Sequence, residues 1–364
     1  MKNIFFLLFL IFISCEKSVE EDCFKDKDEK IFNGYVEVKP YTVKEILKHK
    51  PEYLTISDLK KFRSFKEDSI ANHTFNVLDD KKSKLKLANY NEEYQDFDKA
   101  FLGQFGYYFR QNVNGINYAF GKNGLGFWLL KIENNRAKAY FLGLSFSHYY
   151  INEIQTDPII KNGELQLQGS LVQIIKVPGL PGYDDYSAIA DGKLFKIKLS
   201  DLEKDSDNDG YNDIFEESFG LDPKNKDTDS DGVDDLKDMN PLFKSEKNKF
   251  TQLYEEFLIN NYAFDKVNLK EMNYFISVYE NDCEYFQKVN PQSRTLIVPE
   301  DKDKLPYYLQ VTNVVNNGFS KLQKDSQNKE KFYFHEWGGG STTDYSVEFI
   351  KGKWKIIMLG GTVS

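Results

Sequence analysis

The chain has 364 residues and a formal net charge of −9, enough length for two domains of ordinary size, each with its own core. The charge is uneven: residues 201–240 hold 15 Asp/Glu against 4 Lys, a net of −11, and the rest of the chain sums to +2, which excludes a whole-surface field steering a cationic partner. Only four arginines occur (Arg63, Arg110, Arg136, Arg294); they form no cluster, so nucleic acid is excluded as a partner.

Lys2 followed by the apolar run Ile4 to Ile13 reads as a targeting signal, since the run is too short to span a bilayer. It stops at Ser14-Cys15. A small residue directly before a cysteine at the end of such a run resembles the lipobox of bacterial lipoproteins. The resemblance implies a signal peptide over residues 1–14 and lipidation of Cys15. Acyl chains would then hold the exported chain on the cell envelope, at the outer membrane or cell surface. An ordinary secretory signal with Cys15 incidental is the plain alternative. Residues 15–30 are almost wholly charged and read as a flexible tether.

Residues 31–200 predict a β-rich domain. Leu165 and Leu167 alternate with polar neighbours, as do Phe195, Ile197 and Leu199. Two apolar runs, Phe127 to Leu130 and Ala139 to Leu142, flank Asn134-Asn135 as in a hairpin. Short helices are expected around Val43–Lys48 and Ser57–Phe65. Gly121-Lys-Asn-Gly124-Leu-Gly126 lies between strand patterns with no following helix, so it reads as a turn and not a phosphate cradle.

The acidic stretch, taken as residues 201–243, contains one pattern twice. The first copy is Asp205-Ser-Asp207-Asn-Asp209-Gly210-Tyr211-Asn-Asp213-Ile-Phe-Glu216. The second is Asp227-Thr-Asp229-Ser-Asp231-Gly232-Val233-Asp-Asp235-Leu-Lys-Asp238. Ca²⁺ is a hard cation that takes six to eight oxygens, and a 12-residue loop supplies them from positions 1, 3, 5, 7, 9 and 12, with glycine at position 6 for the sharp bend. The first copy meets every position: Asp205, Asp207 and Asp209 through carboxylates, Tyr211 through its carbonyl, Asp213 directly or through water, and Glu216 with two oxygens. The second matches with Asp227, Asp229, Asp231, Val233 and Asp235, but ends in the shorter Asp238. Two Ca²⁺ sites are expected. Residues Asn212 to Phe219 predict a short exiting helix capped by Gly220, with Ile214 and Phe215 turned to packing; Asn240-Pro241 rules out a second one.

The copies start 22 residues apart, too close for paired EF-hands with full helices, and the entering Phe195–Leu199 reads as a strand. With Gly220-Leu221-Asp222-Pro223 linking the copies, residues 203–242 resemble the thrombospondin type-3 repeats of exported proteins. The resemblance implies Ca²⁺ held in a compact array where ions replace most of an apolar core. Without a counter-ion, this charge density would leave a solvated acidic linker.

Residues 246–364 predict an α+β domain with an antiparallel sheet, opening with a helix near Asn248. Tyr254, Phe257, Leu258 and Tyr262 share one helical face. Met272, Phe275, Ile276, Tyr279, Cys283 and Phe286 follow helical spacing and predict a second helix, on which Cys283 is a buried thiol; a bridge from Cys23 to Cys283 is the alternative. Strands are expected at Tyr345–Phe349 and Trp354–Met358 around a Lys351-Gly352 turn, with Gly338–Ser341 as a loop and His335 a packed strand residue.

The whole reads as a mainly β and α+β multidomain chain: two domains joined by a calcium segment that stiffens the connection. The favoured class is a lipid-anchored surface binding or adhesion protein with a protein or carbohydrate partner. Tyr183 and Tyr186, beside Asp184 and Asp185, are candidate contacts for a sugar or a protein. The alternative is an envelope hydrolase stabilised by calcium, marked by a pocket pairing a carboxylate with His148 or His335.

Overall fold

The computed structural model describes residues 19–25, 39–76, 80–176, 184–258, 268–315, 317–338 and 340–363. Cys15 and the signal, the loop 177–183 with Tyr183, and Tyr262 lie outside them. The chain is mixed α/β, with about 24% helix and 36% strand. Among the described residues, no helix is long and apolar enough to cross a membrane.

The chain opens with α1 (Val19–Cys23) and β1 (Phe24–Lys25), then α2 (Val43–Lys48), β2 (Thr55–Asp58), α3 (Phe65–Asn76), α4 (Asp80–Glu93) and α5 (Gln95–Phe101). A meander of β3 (Gly106–Val113), β4 (Ile116–Asn123), β5 (Gly126–Glu133) and β6 (Arg136–Phe141) makes a four-stranded antiparallel sheet. A second sheet is built from β2, β7 (Tyr149–Ile151), β8 (Ile160–Lys161), β9 (Glu164–Lys176) and β10 (Asp184–Lys198), in the order β2-β10-β9-β7 with β8 on β9. The β5–β6 hairpin turns at Asn134-Asn135, both at positive φ (50° and 59°), the backbone twist that two-residue hairpin turns require.

α6 (Leu199–Leu202) leads into the acidic segment, whose one helix is α7 (Asp213–Phe219). Beyond it come α8 (Lys249–Phe257), β11 (Ser277–Glu280), α9 (Glu284–Gln287), β12 (Thr295–Val298), α10 (Tyr307–Val311), β13 (Asn317–Phe319), β14 (Leu322–Lys324), β15 (Lys331–Gly338), β16 (Ser341–Ile350) and β17 (Lys353–Val363). These strands and β1 form an eight-stranded sheet, β1-β14-β15-β13-β11-β12, with β16 on β15 and β17 on β16.

The structure corrects four expectations. The third sheet is mixed, not antiparallel: β11 runs parallel to both β12 and β13, and β1 parallel to β14; between β11 and β12, α9 supplies the crossover that parallel neighbours need. The Met272–Phe286 stripe is not one helix. It is a 3₁₀ turn at Leu269–Glu271, then β11 and α9, since pairing on both edges of β11 outweighs an apolar periodicity that suits either element. Cys283 is no free thiol but bridged to Cys23, so residues 19–25, expected as free tether, are docked on the third sheet. Finally, Thr55–Asp58 is a strand on β10 and the helix starts only at Phe65.

The core does not divide at the acidic segment. One cluster joins Trp128, Leu130 and Phe141 of the meander with Phe215 and Phe219 of α7 and with Tyr274, Val298 and Tyr308 beyond it; a second gathers Tyr254, Phe286, Phe319 and Val347 around the disulfide.

Candidate metal centre

Both acidic loops have one backbone design. Position 4 is left-handed in each, Asn208 at φ 64° and Ser230 at φ 61°, and so is the glycine at position 6, Gly210 at 117° and Gly232 at 100°. The amide of position 5 donates to the carboxylate of position 3: Asp209 to Asp207 Oδ1 at 3.1 Å, Asp231 to Asp229 Oδ1 at 3.0 Å. The amide of position 7 donates to position 5: Tyr211 to Asp209 Oδ1 at 2.7 Å, Val233 to Asp231 Oδ1 at 2.9 Å. Such side-chain-to-backbone bonds are what short acidic residues make in turns, and they curl each loop around its carboxylates.

Position 9 closes each ring. Asp213 accepts from the amide and the hydroxyl of Ser206, both at 2.8 Å, and Asp235 from Thr228 N (2.9 Å) and Oγ1 (2.7 Å). Asp213 is also paired to Lys204 at 2.6 Å. Its carboxylate thus has a cation as well as the closing bonds, where Asp235 has the closing bonds alone. Burial pushes the Asp213 carboxyl up, but the bonds from Lys204 and Ser206 outweigh it and leave it below its ordinary value.

The remaining acids lie close together without such cations. Oxygens of Asp205, Asp207 and Asp209 lie within 4.8 Å of one another, as do those of Asp227, Asp229 and Asp231. A third group of the same tightness, Asp209, Glu216 and Asp235, spans the two loops. Glu216 is fully buried, and neither of its carboxylate oxygens has a hydrogen-bond partner; Asp205 Oδ1, Asp207 Oδ2 and Asp229 Oδ2 are likewise orphaned. Burial, then the charges of Asp207 and Asp209, push Glu216 up to about 9. Burial also raises Asp209 and Asp229 to about 7 and Asp235 to about 6. Asp238 is buried too, its Oδ1 accepting from Asn240 N at 2.9 Å; burial and the nearby Asp231 hold its carboxyl up. Val233 points outward, and its side chain is exposed.

The loops are held from both sides. Asn212 is the main staple to the meander: its Oδ1 accepts from Phe141 N (3.1 Å), and its Nδ2 donates to the carbonyls of Phe141 and Leu202 at 3.0 Å. α7 follows as expected, capped by Gly220 at φ 86°, with Phe215 and Phe219 fully buried. On the other side the Tyr211 hydroxyl donates to Asn273 O at 2.9 Å. Buried Arg294 donates to Leu236 O at 2.9 Å and to Lys270 O at 3.2 Å. Asn240 Nδ2 reaches the carbonyls of Gln287 and Val289. Asn212, Arg294 and the Ser206/Thr228 closures escaped the sequence reading. Only the last left a signal: a hydroxyl residue at position 2 of both copies.

The two histidines singled out lie elsewhere. His148 is buried, with the Tyr41 ring 4.7 Å away and its Nε2 unpartnered; burial lowers it to about 4. His335 is half-buried on β15 opposite Asp344 of β16, as a packed strand residue should be. Comparison with protein-family models, curated proteins and solved structures found no match.

Proposed function

We propose that residues 201–243 bind calcium and that the ions brace the acidic segment between the meander and the third sheet. The observation that carries this reading is Glu216: a carboxylate with no exposure and two unpartnered oxygens, facing Asp209 and Asp235. A buried, unpaired anion costs several kcal/mol, and a cation among these oxygens removes that cost. The donors in all three groups are oxygens alone, the hard set that suits Ca²⁺ and disfavours Zn²⁺. Asp205, Asp207, Asp209, Glu216 and the Tyr211 carbonyl would hold the first ion, with Asp235 reaching across from the second loop. Asp227, Asp229, Asp231, Asp238 and the Val233 carbonyl would hold the second. Asp213 serves as the loop's closing clasp, in contact only through water if at all. Calcium supplies charge neutralisation here and no chemistry.

The protein as a whole is proposed to be a lipid-anchored envelope binding protein. If Cys15 bears the lipid, only residues 16–18 separate it from the docked α1, a reach of about 14 Å, so the third sheet would sit close against the membrane. For the hydrolase alternative, His335 lies opposite Asp344 beside a surface cavity of about 520 Å³, and His148 lines a second cavity of about 460 Å³ together with Glu52 and Glu217. Calorimetric titration with CaCl₂ after chelator treatment tests the main reading: two or more ions per chain and a raised melting temperature are expected, whereas an unchanged melting curve in chelator would refute it.

A further inference from the structure

A cleft lies between the meander and the second sheet, and no residue of the acidic loops lines it. Its volume is about 370 Å³. Phe120 and Phe127 stand on adjacent meander strands with ring centroids 5.5 Å apart, and Phe146 meets Phe127 edge-on at 4.7 Å. Tyr108 closes one end of this wall, 6.1 Å from Phe120. Tyr186, one of the two tyrosines marked in the sequence, faces it from β10 and is fixed by a hydrogen bond from its hydroxyl to Phe146 O at 2.7 Å.

Three polar groups punctuate this aromatic lining. Lys122 is exposed, with its ammonium 5.1 Å from the Phe146 ring centroid. Glu153 is exposed at the rim, close enough to Tyr108 that its charge, after burial, helps push that hydroxyl up to about 12; the phenol therefore stays neutral and able to donate. Asn152 is 1% exposed. Its Nδ2 donates to Arg63 O at 2.9 Å, while its Oδ1 has no hydrogen-bond partner. A buried amide oxygen left unpaired is costly, and a ligand donor that reached it would relieve that cost.

The lining is also pre-organised. Fully buried Asp68 accepts from the Tyr150 hydroxyl and the Glu153 amide, both at 2.7 Å, and pairs with Arg63 at 2.9 Å. The residues at the cleft floor thus sit on one network.

We propose that this cleft binds a neutral saccharide of one or two pyranose rings, an assignment that rests on the binding-protein reading above and names its ligand class. The argument is complementarity. One cation and one anion leave the lining uncharged, so a neutral ligand is favoured over an acidic or basic one. Donors (Lys122, Tyr108) and an acceptor (Glu153) stand among the aromatic rings of the lining, with Asn152 beside them. A pyranose offers apolar C–H faces for those rings and hydroxyls that both donate and accept.

The test uses the full-length protein in detergent, screened on an array of neutral mono- and disaccharides, with hits titrated as free sugars by calorimetry. Lys122→Met and Glu153→Gln alter exposed side chains and should leave the melting temperature intact. Each should weaken sugar binding about tenfold or more, the loss expected for a hydrogen bond to a charged group. Tyr108→Phe should weaken it less. Retention of no saccharide, or binding that both charge variants leave within about twofold, overturns the proposal. Free phenylalanine runs in parallel: binding of that zwitterion without any sugar overturns the saccharide assignment but leaves a binding protein standing. The calcium reading is scored separately, by the chelator effect on the same samples.

Discussion

The Leu236 amide donates to Asp209 Oδ2 at 3.1 Å, and through this bond the second acidic loop closes on the first. Asp209 is the hinge of the arrangement, since it also accepts from Tyr211 N within its own loop and belongs to both carboxylate groups of the first site. The loops are therefore one unit, and ion binding at one should be felt at the other. Asp209→Asn, which keeps an oxygen for Leu236 N but removes the charge, should weaken binding at the first site strongly and at the second by a smaller factor. Calorimetry resolving two classes of site checks this; a second class untouched by the substitution would mean that the loops act independently.

The metal-free protein should lose stability as pH rises. Glu216 lies near 9 in the folded chain, and Asp209 and Asp229 near 7, all raised above ordinary carboxyl values of about 4. A carboxyl raised on folding holds its proton in the native state after the unfolded chain has released it. Its stabilising contribution is full below the unfolded value and drains away as pH climbs through the folded one. In chelator the melting temperature should fall from pH 5 to pH 9. In excess calcium, which favours the ionised form, the fall should flatten or reverse. Scanning calorimetry at pH 5, 7 and 9 decides it, and parallel curves with and without calcium would contradict the assignment.

Glu216→Gln separates charge from shape. The amide fills the same space without the proton uptake on folding that a carboxyl raised to about 9 requires, so in chelator at pH 8 the variant should melt higher than the parent. In calcium it should melt lower, with affinity reduced at least about tenfold, since a charged ligand is lost. A variant that melted lower in both conditions would show that Glu216 holds the fold by a route other than metal.

Much of the site was legible because it is written twice. Matching glycines and aspartates at equal offsets specify ring-shaped loops, and Gly220 marks the end of α7. The meander hairpin and the Lys351-Gly352 turn were legible for a similar local reason, as turn residues between alternating strands; Lys351 and Gly352 sit at φ 50° and 81°. What was hidden is tertiary. Nothing near Asn212 announces that its partner is Phe141, 71 residues earlier. The Met272–Phe286 stripe satisfies a helical period, yet β12 and β13 claim its middle as β11. Cys23 sits in a charged run with little apolar content, and its bridge to Cys283, the pairing of β1 with β14 and the packing of Phe24 on Phe250 together fasten that run to a core.

The two loop glycines should respond unequally to alanine. Both have positive φ, a backbone strain of about 1–3 kcal/mol for alanine. At Gly232 a methyl would meet nothing within 4 Å, but at Gly210 it would come within 2.7 Å of Leu236 Cδ2. Gly210→Ala should therefore cost about 1–3 kcal/mol more than Gly232→Ala through overpacking between the loops. Urea denaturation in calcium measures both.

The disulfide makes a further prediction about the segment nearest the proposed lipid. Cys23 and Cys283 are both buried in the second core cluster, where Phe24 packs against Phe250 at 5.2 Å. Removing the bridge should cost about 2–5 kcal/mol, and it should also free residues 19–25 from the sheet. Cys23→Ala with Cys283→Ala should then expose the segment before α2 to limited proteolysis while the acidic loops still bind calcium, because Glu216 and its partners draw on the other core cluster. If the double variant lost calcium binding together with its N-terminal segment, the two clusters would unfold as one cooperative unit, and the ions would brace the entire chain.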